Sequence, residues 1–344
     1  MTAMRLFIPI TTYHAFLSFA LAAEGDGENV LICNGDPHVV TTLETFAKVF
    51  PDVRFRVVVL ESTYRVGNFR VLPIRKRNLK VIREVVETSG GISDIYYFAE
   101  HHVYTTYAFH VVRELFPAAK SHFSEDGVVT YLRTALRPKS AVERAMDSLF
   151  YGRWHVSLSV PGSLDPNAQV DVLYPDLLPK VYDSHAVRRV SASALRAKFR
   201  ADGLSGLVDV DALAGVSSLV ALDRSGTDYF DAYLDAVRSV VNGTHSGLKR
   251  HPGDFHNEAL GERLKSIEGV ELPASLPIEV YYILFGERLK RVIGGLGTST
   301  LTAKWLLPDV EATVVVPGLA VRDLPDWEPT RELFARAGVG IRLV

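Results

Sequence analysis

Short apolar runs of strand length alternate with amphipathic helical patterns along almost the whole chain, and this alternation constrains the fold more than any other feature. In the first half the runs fall at residues 6–10, 30–33, 55–60 and 95–98, separated by helical patterns over 41–49, 79–88 and 105–115. In the last of these helices Tyr107, Phe109, Val111, Val112 and Leu115 spread around a largely buried face. Strand and helix in alternation imply parallel strands with helices on both faces of a sheet. Residues 121–123 read as a further short strand, which puts Glu125 and Asp126 in the turn after its C-terminal end. Open α/β sheets bind their ligands at that edge.

Between residues 159 and 179 the periodicity breaks at Pro161, Gly162, Pro166, Pro175 and Pro179. Proline continues neither a ladder nor a helix interior, so a domain junction is predicted there. A second α/β series follows, with strands over 218–222, 246–249, 289–293 and 312–316 and helices over 229–241, 277–285 and 299–306. A length of 344 residues suits two domains of ordinary size. The expected fold class is therefore α/β, with two Rossmann-like domains of mostly parallel sheet. They are placed at residues 1–165 and 175–325, and residues 326–344 form a C-terminal helix and tail packing back on the first domain.

Hydrophobic residues make up 47% of the chain and charged residues 23%, a balance that describes a folded protein and excludes disorder. The formal net charge of −2 provides no field to draw nucleic acid. Cys33 is the only cysteine, which excludes an internal disulfide and a cysteine-based metal cluster and favours a reducing cytoplasm. The apolar run over 6–23 follows Arg5 and ends in Leu-Ala-Ala, imitating a secretory signal. Pro9, Thr11, Thr12, Tyr13 and His14 interrupt it, and the pieces on either side read as a strand and a helix. No other segment approaches the ~18 consecutive apolar residues of a membrane span.

Four short peptides carry chemistry. Ser-Glu-Asp-Gly at Ser124 to Gly127 offers carboxylates suited to take a proton from a hydroxyl. Lys-Arg-His-Pro at Lys249 to Pro252 ends a predicted strand, and Pro252 holds the preceding His251 in extended backbone angles. An imidazole there is suited to charge gathering on a phosphate, with Lys249 and Arg250 adding positive charge. Gly-Gly-Leu-Gly-Thr-Ser-Thr at Gly294 to Thr300 joins glycines that permit close approach to hydroxyls at a helix start, where an anion is favoured. Pro277-Ile278-Glu279 opens a further helix with an acid. Each peptide also has a plain structural reading: an ordinary turn, a strand-end histidine, a pair of helix caps, an acid on a helix dipole.

In this order along the chain the peptides resemble the acidic-acidic-Gly, His-Pro and Ser-Ser/Thr motifs of bacterial sialyltransferases and polysialyltransferases. The resemblance implies a GT-B glycosyltransferase of two facing domains, inverting and independent of metal. It would move sialic acid or a related nonulosonic acid from a CMP-activated donor to a glycan hydroxyl in capsule or lipooligosaccharide synthesis. Glu125 would be the catalytic base, with Asp126 in reserve. His251 would meet the departing CMP phosphate, Gly297, Thr298, Ser299 and Thr300 would hold it, and Glu279 would hold the ribose. His14 and His101 are candidate acceptor contacts. The partners implied are the CMP-sugar donor and an oligosaccharide or glycolipid acceptor. No nucleic acid, metal or other cofactor is implied, and the location is cytoplasmic, with peripheral association at the inner membrane surface left open. Two alternatives stand: a GT-B glycosyltransferase with another nucleotide-sugar donor, and a non-catalytic nucleotide- or glycan-binding protein of the same fold.

Three further features read more plainly. Asp209-Val210-Asp211 is formally the Asp-x-Asp of metal-dependent transferases but sits in a linker turn. His101 and His102 are adjacent, and adjacent side chains diverge, which disfavours joint metal ligation. The basic run Arg70, Arg75, Lys76, Arg77, Lys80 and Arg83 suits an anionic acceptor or membrane surface, and equally the solvated face of a helix.

Overall fold

The computed structural model describes residues 4–25, 27–63, 68–132, 139–152, 154, 155, 158, 160–209, 211, 213–241, 244–254, 257–273, 276–322 and 327–344. The chain divides into two compact units, Met1–Lys198 and Phe199–Val344.

The first unit is built on seven strands: β1 (Met4–Ile8), β2 (Glu28–Cys33), β3 (Arg56–Val59), β4 (Ile92–Tyr97), β5 (Lys120–Ser124), β6 (Gln169–Val172) and β7 (Val187–Arg189). They form one sheet in the order β3-β2-β1-β4-β5-β6-β7, with every pairing parallel. The apolar run over 6–23 is β1 and helix α1 (Thr12–Ala23), started by the Thr11 hydroxyl accepting from the His14 amide at 3.2 Å. Residues 14–22 of α1 are all buried, the condition that suits a helix apolar on every side. Helix α2 (Pro37–Val49) begins with Asp36 accepting from the His38 amide at 2.8 Å and proline in its first turn. Helices α3 (Asn68–Glu87), α4 (Val103–Leu115), α5 (Val128–Leu132), α6 (Ala141–Tyr151) and α7 (Ala192–Lys198) complete the unit. Helix α3 starts well before the expected residue 79 because Pro73 lies near its N-terminus, where it removes one ladder bond without ending the helix. Cys33, at the end of β2, is fully buried, and burial pushes its thiol up to about 11.

The expected junction at 159–179 is corrected by β6 and β7, which belong to the first sheet and carry the unit on to Lys198. The prolines there flank strands: Pro175 opens a short 3-10 turn directly after β6, and Gly162 turns at φ +79°.

The second unit carries β8 (Ser218–Ala221), β9 (Ser246–Lys249), β10 (Gly269–Glu271), β11 (Arg291–Gly294), β12 (Glu311–Val316) and β13 (Gly340–Leu343), again all parallel, in the order β10-β9-β8-β11-β12-β13. Helices α8 (Phe230–Val241), α9 (Glu258–Leu264), α10 (Ile278–Phe285), α11 (Thr298–Leu306), α12 (Gly318–Arg322) and α13 (Trp327–Arg336) connect and cover them. Phe230, Tyr233, Val237 and Leu260 from the helices pack on Val220 and Ile293 from the sheet. The C-terminal tail is a correction too: residues 340–343 are not a separate tail but pair with β12, so α13 is the crossover between two strands of this sheet.

Each sheet turns back beside its first strand, between β1 and β4 in one and between β8 and β11 in the other. The loops leaving the C-terminal ends of those strands are where a doubly wound unit binds its ligand. No helix among the described residues is long and apolar enough to cross a membrane.

Candidate functional site

Two groups of side chains gather at those edges, one in each unit. In the first unit, Glu125 and Asp126 leave β5 in opposite senses. Glu125 is 1% exposed. One of its oxygens accepts from the Tyr13 hydroxyl, and the other from the Tyr131 hydroxyl and from the Leu173 amide at 2.7 Å. Burial pushes its carboxyl up to about 7 against the pull of these donors. Asp126 keeps 30% of its side chain exposed and accepts from His14 Nε2 at 2.8 Å, and its own amide donates to the Thr130 hydroxyl at 2.7 Å. Gly127 then turns at φ +66°, in the left-handed region, and lets α5 start at once.

The tautomer of His14 follows from its surroundings. Nδ1 accepts from the Ile10 amide at 3.3 Å, so in the neutral ring the proton sits on Nε2 and is donated to Asp126. The ring is 1% exposed and stacks on Phe98 at 4.9 Å. With both nitrogens engaged, His14 orients a carboxylate and has no atom left for a substrate. Asp126 lines a pocket with Phe98, His101, Phe123, Thr130 and Tyr182. Glu100, also in that wall, is buried and accepts from the amides of Gly162 at 2.5 Å and Leu164 at 3.1 Å, and burial raises it to about 7. His101 is exposed there, whereas His102 is turned inward as the cap of α4 and burial lowers it to about 3.

In the second unit the loops after β8, β9 and β11 and the start of α10 supply the group. His251 is half-buried; its Nδ1 accepts from the Gly253 amide at 3.0 Å, which leaves the proton of the neutral ring on Nε2, and burial lowers its pKa. Pro252 is exposed and opens a short 3-10 turn ending at Asp254. Asp254 then accepts from the Ser225 amide at 2.7 Å and the Ser225 hydroxyl at 2.5 Å, which ties the loop after β9 to the loop after β8. Lys249 and Glu279 are both buried: burial lowers the first to about 8 and raises the second to about 7, each opposed by the attraction of the other's charge.

Gly297 is exposed and precedes α11 without a side chain to cap its first-turn N–H groups, the form in which a helix N-terminus takes an anion. Thr298 and Ser299 are half-buried. Thr300 is fully buried, with its methyl 3.0 Å from where a Cβ on Gly294 would lie. At the reversal point itself stands Asp223, which accepts from the Arg224 amide at 2.8 Å and the Tyr229 hydroxyl at 3.3 Å. Its Oδ2 lies 2.6 Å from the Cβ position of Gly295, so any side chain there would displace the Asp223 carboxylate.

The structure thus brings together Glu125, Asp126, His14 and His101 in one unit and His251, Glu279 and the Gly297 to Thr300 turn in the other. Tyr13, Tyr131, Glu100 and Asp223 were not found from sequence; the adjacency of Tyr13 to His14 was the one available signal. In the Asp-x-Asp stretch the Asp211 amide donates to Asp209 Oδ1 at 3.1 Å, and Val210 lies outside the described residues. No group of three His, Cys, Asp or Glu side chains among the described residues could hold a metal ion. In the basic run Arg77 pairs with Glu61 at 2.7 Å and Arg83 with Glu114 at 2.7 Å, on an exposed face; the Arg70 side chain lies outside the described ones.

No family model matches the chain, and no curated protein matches it. Solved structures do. The 2,6-sialyltransferase of Photobacterium sp. JT-ISH-224, solved with the donor product CMP and the acceptor substrate lactose, superposes with a TM-score of 0.57 at 11% identity, over 99% of this chain and 78% of that one. The calicheamicin glycosyltransferase CalG4 superposes with a TM-score of 0.51 at 12% identity, over 99% of this chain and 86% of that one. The fold is GT-B. In GT-B terms the His14–Asp126 pair belongs to the N-terminal Rossmann-like unit and the His251, Glu279 and α11 group to the C-terminal one.

Proposed function

We propose that the protein is a glycosyltransferase that moves a sugar from a nucleotide-activated donor to a hydroxyl, with Asp126 as the base. The observation that carries this reading is the His14–Asp126 pair: a part-exposed carboxylate at the ligand-binding edge, held through one oxygen by a buried imidazole of fixed tautomer. A base must reach the proton it removes, and Asp126 borders the pocket whereas Glu125 has both oxygens taken inside the core. The first unit would bind the acceptor. The second would bind the nucleotide, with the N-terminus of α11 and Ser299 at the phosphate, His251 donating a hydrogen bond from Nε2 to the departing phosphate oxygen, and Glu279 serving the ribose.

For the donor we favour a CMP-activated sialic or related nonulosonic acid. The motif order supports it, and so does Asp223. A diphosphate would bring additional negative charge to the crevice where that carboxylate stands, while a monophosphate asks less of the positive groups opposite it. The Photobacterium structure holds CMP in the same fold.

Nucleotide-dependent melting tests the donor without knowledge of the acceptor. A ligand that binds only the folded state at ~100 times its dissociation constant stabilises it by about 2.7 kcal/mol. For a unit of this size that is a rise of roughly 5–10 °C. CMP should produce it, UMP, GDP and UDP much less, and the rise should shrink in Ser299→Ala, His251→Ala and Glu279→Ala. A larger rise with UDP than with CMP replaces the CMP donor by a uridine one.

A further inference from the structure

Two consecutive residues at the start of α1 are bonded to two consecutive residues after β5: Tyr13 to Glu125 and His14 to Asp126. The second bond sets the proposed base. The first is buried, and it reaches further, because the Glu125 carboxylate also gathers Tyr131 from α5 and the Leu173 amide from the end of β6. The Tyr131 hydroxyl in turn accepts from the Tyr174 amide at 3.1 Å. Four elements thus meet on one carboxylate that faces away from the pocket.

We infer that Glu125 is a positioning residue: through the hydroxyls of Tyr13 and Tyr131 and the amide of Leu173 it locks the α1 and β5 loops together and so fixes the His14–Asp126 bond. The inference rests on the reading of Asp126 as the base for its catalytic consequence, but its structural content does not. A buried carboxylate with three donors has a single low-energy arrangement, since each donor left unpaired in the core carries a desolvation cost. Tyr13 is adjacent to His14 and Glu125 to Asp126, so the lower pair cannot shift along the strand direction or rotate about α1 without breaking the upper one. The acid doublet then divides its work by alternation: in an extended segment successive side chains point to opposite sides, so one acid faces the core as an anchor and the next faces the pocket.

Two variants test this, Glu125→Gln and Tyr13→Phe; the second removes a single oxygen and keeps the ring, so a folded protein is secured even if the first melts early. The primary readout is the nitrogen NMR spectrum of the histidines with His14 assigned. The wild type should show the neutral His14 ring protonated on Nε2 and bonded, and both variants should show that signal shifted towards a mixture of tautomers. Turnover supplies the second readout. Displacing a reacting group by about 1 Å costs on the order of 10²-fold, so kcat should fall up to that much in each variant with the donor KM unchanged. The double variant should be no slower than the slower single one, because both break the same clamp. An unaltered His14 signal in both variants overturns the inference, as does a full rate in Tyr13→Phe beside a rate in Glu125→Gln as low as that of Asp126→Asn, which would make Glu125 the base. If the wild type transfers no sugar from any nucleotide, the NMR arm still decides the clamp, and the proposed function alone fails.

Discussion

Asp126→Asn is expected to lower the rate of sugar transfer by about 10²–10⁴-fold, the usual effect of losing a general base. The substitution keeps size and still offers Oδ1 to the His14 Nε2 proton, so the loop should hold its shape. In the proposed function the nucleotide is bound by residues of the other unit, so the melting rise produced by the donor nucleotide should be the same as in the wild type. The two measurements together separate a chemical defect from a folding or binding one. Near-wild-type turnover in Asp126→Asn removes it from the mechanism.

The second large effect lies away from the site, in the face of the first sheet. His122 bridges two carboxylates, Asp171 Oδ2 at 3.1 Å from Nδ1 and Asp94 Oδ1 at 3.0 Å from Nε2. Arg188 Nε adds a bond to Asp171 Oδ1 at 2.7 Å, and Arg188 Nη1 donates to Glu24 Oε2 at 2.6 Å. Both ring nitrogens donate to carboxylates, so the buried imidazole is held charged; burial pushes its pKa down, but the bonds to Asp171 and Asp94 outweigh burial and leave it raised. Burial likewise pushes Asp171 up, and its bonds to His122 and Arg188 outweigh that and leave it lowered; the His122 bond lowers Asp94. Breaking such a buried network at one member costs about 3–5 kcal/mol, because the remaining charges lose their partner and not their burial. Asp171→Asn should therefore lower the melting temperature of the first unit by roughly 10 °C or more.

The pH dependence follows from the directions. The raised His122 contributes stability that is complete below the ordinary imidazole value of about 6.5 and lost as pH climbs through its folded value. The lowered carboxylates contribute stability that is complete above their ordinary value of about 4 and lost as pH falls through their folded values. The network is at full strength between about pH 4 and 6.5, and His122→Gln should flatten the loss of stability on going from pH 6 to 9. A melting temperature in Asp171→Asn within 2 °C of the wild type, by the scale of about 2–4 °C per kcal/mol, would show that the network carries no net stability.

Much of the architecture is legible in the residues because a parallel sheet buried on both faces needs continuous apolar strands, and Leu-Phe-Ile, Val-Leu-Ile-Cys and Thr-Val-Val-Val announce them. The strands that escape notice are those without this signal. Gln169–Val172 reads Gln-Val-Asp-Val with its Asp171 engaged by His122, and Val187–Arg189 is a short edge strand of mostly basic residues. A polar strand among prolines looks like a linker. The site shows the same limit. That Glu125 and Asp126 sit in a turn at a sheet edge can be seen from the run before them, but which of the two faces inward depends on the tyrosines at 13 and 131, one of them more than a hundred residues away. The Ser-Thr pair after Gly297 is similar: α11 buries Thr300 and leaves Ser299 half-buried, a choice made by its packing on Gly294.

The lone thiol of Cys33 lies at the end of β2, fully buried and held protonated. It is chemically silent as long as the first sheet is closed, since thiol reagents need both access and thiolate. With no second cysteine in the chain, any labelling must come from opening of that one unit. The protein therefore carries its own clock for its N-terminal half: the labelling rate in a thiol reagent reads the opening of the first unit alone, and the part of a denaturation curve that leaves the thiol unmodified belongs to the second.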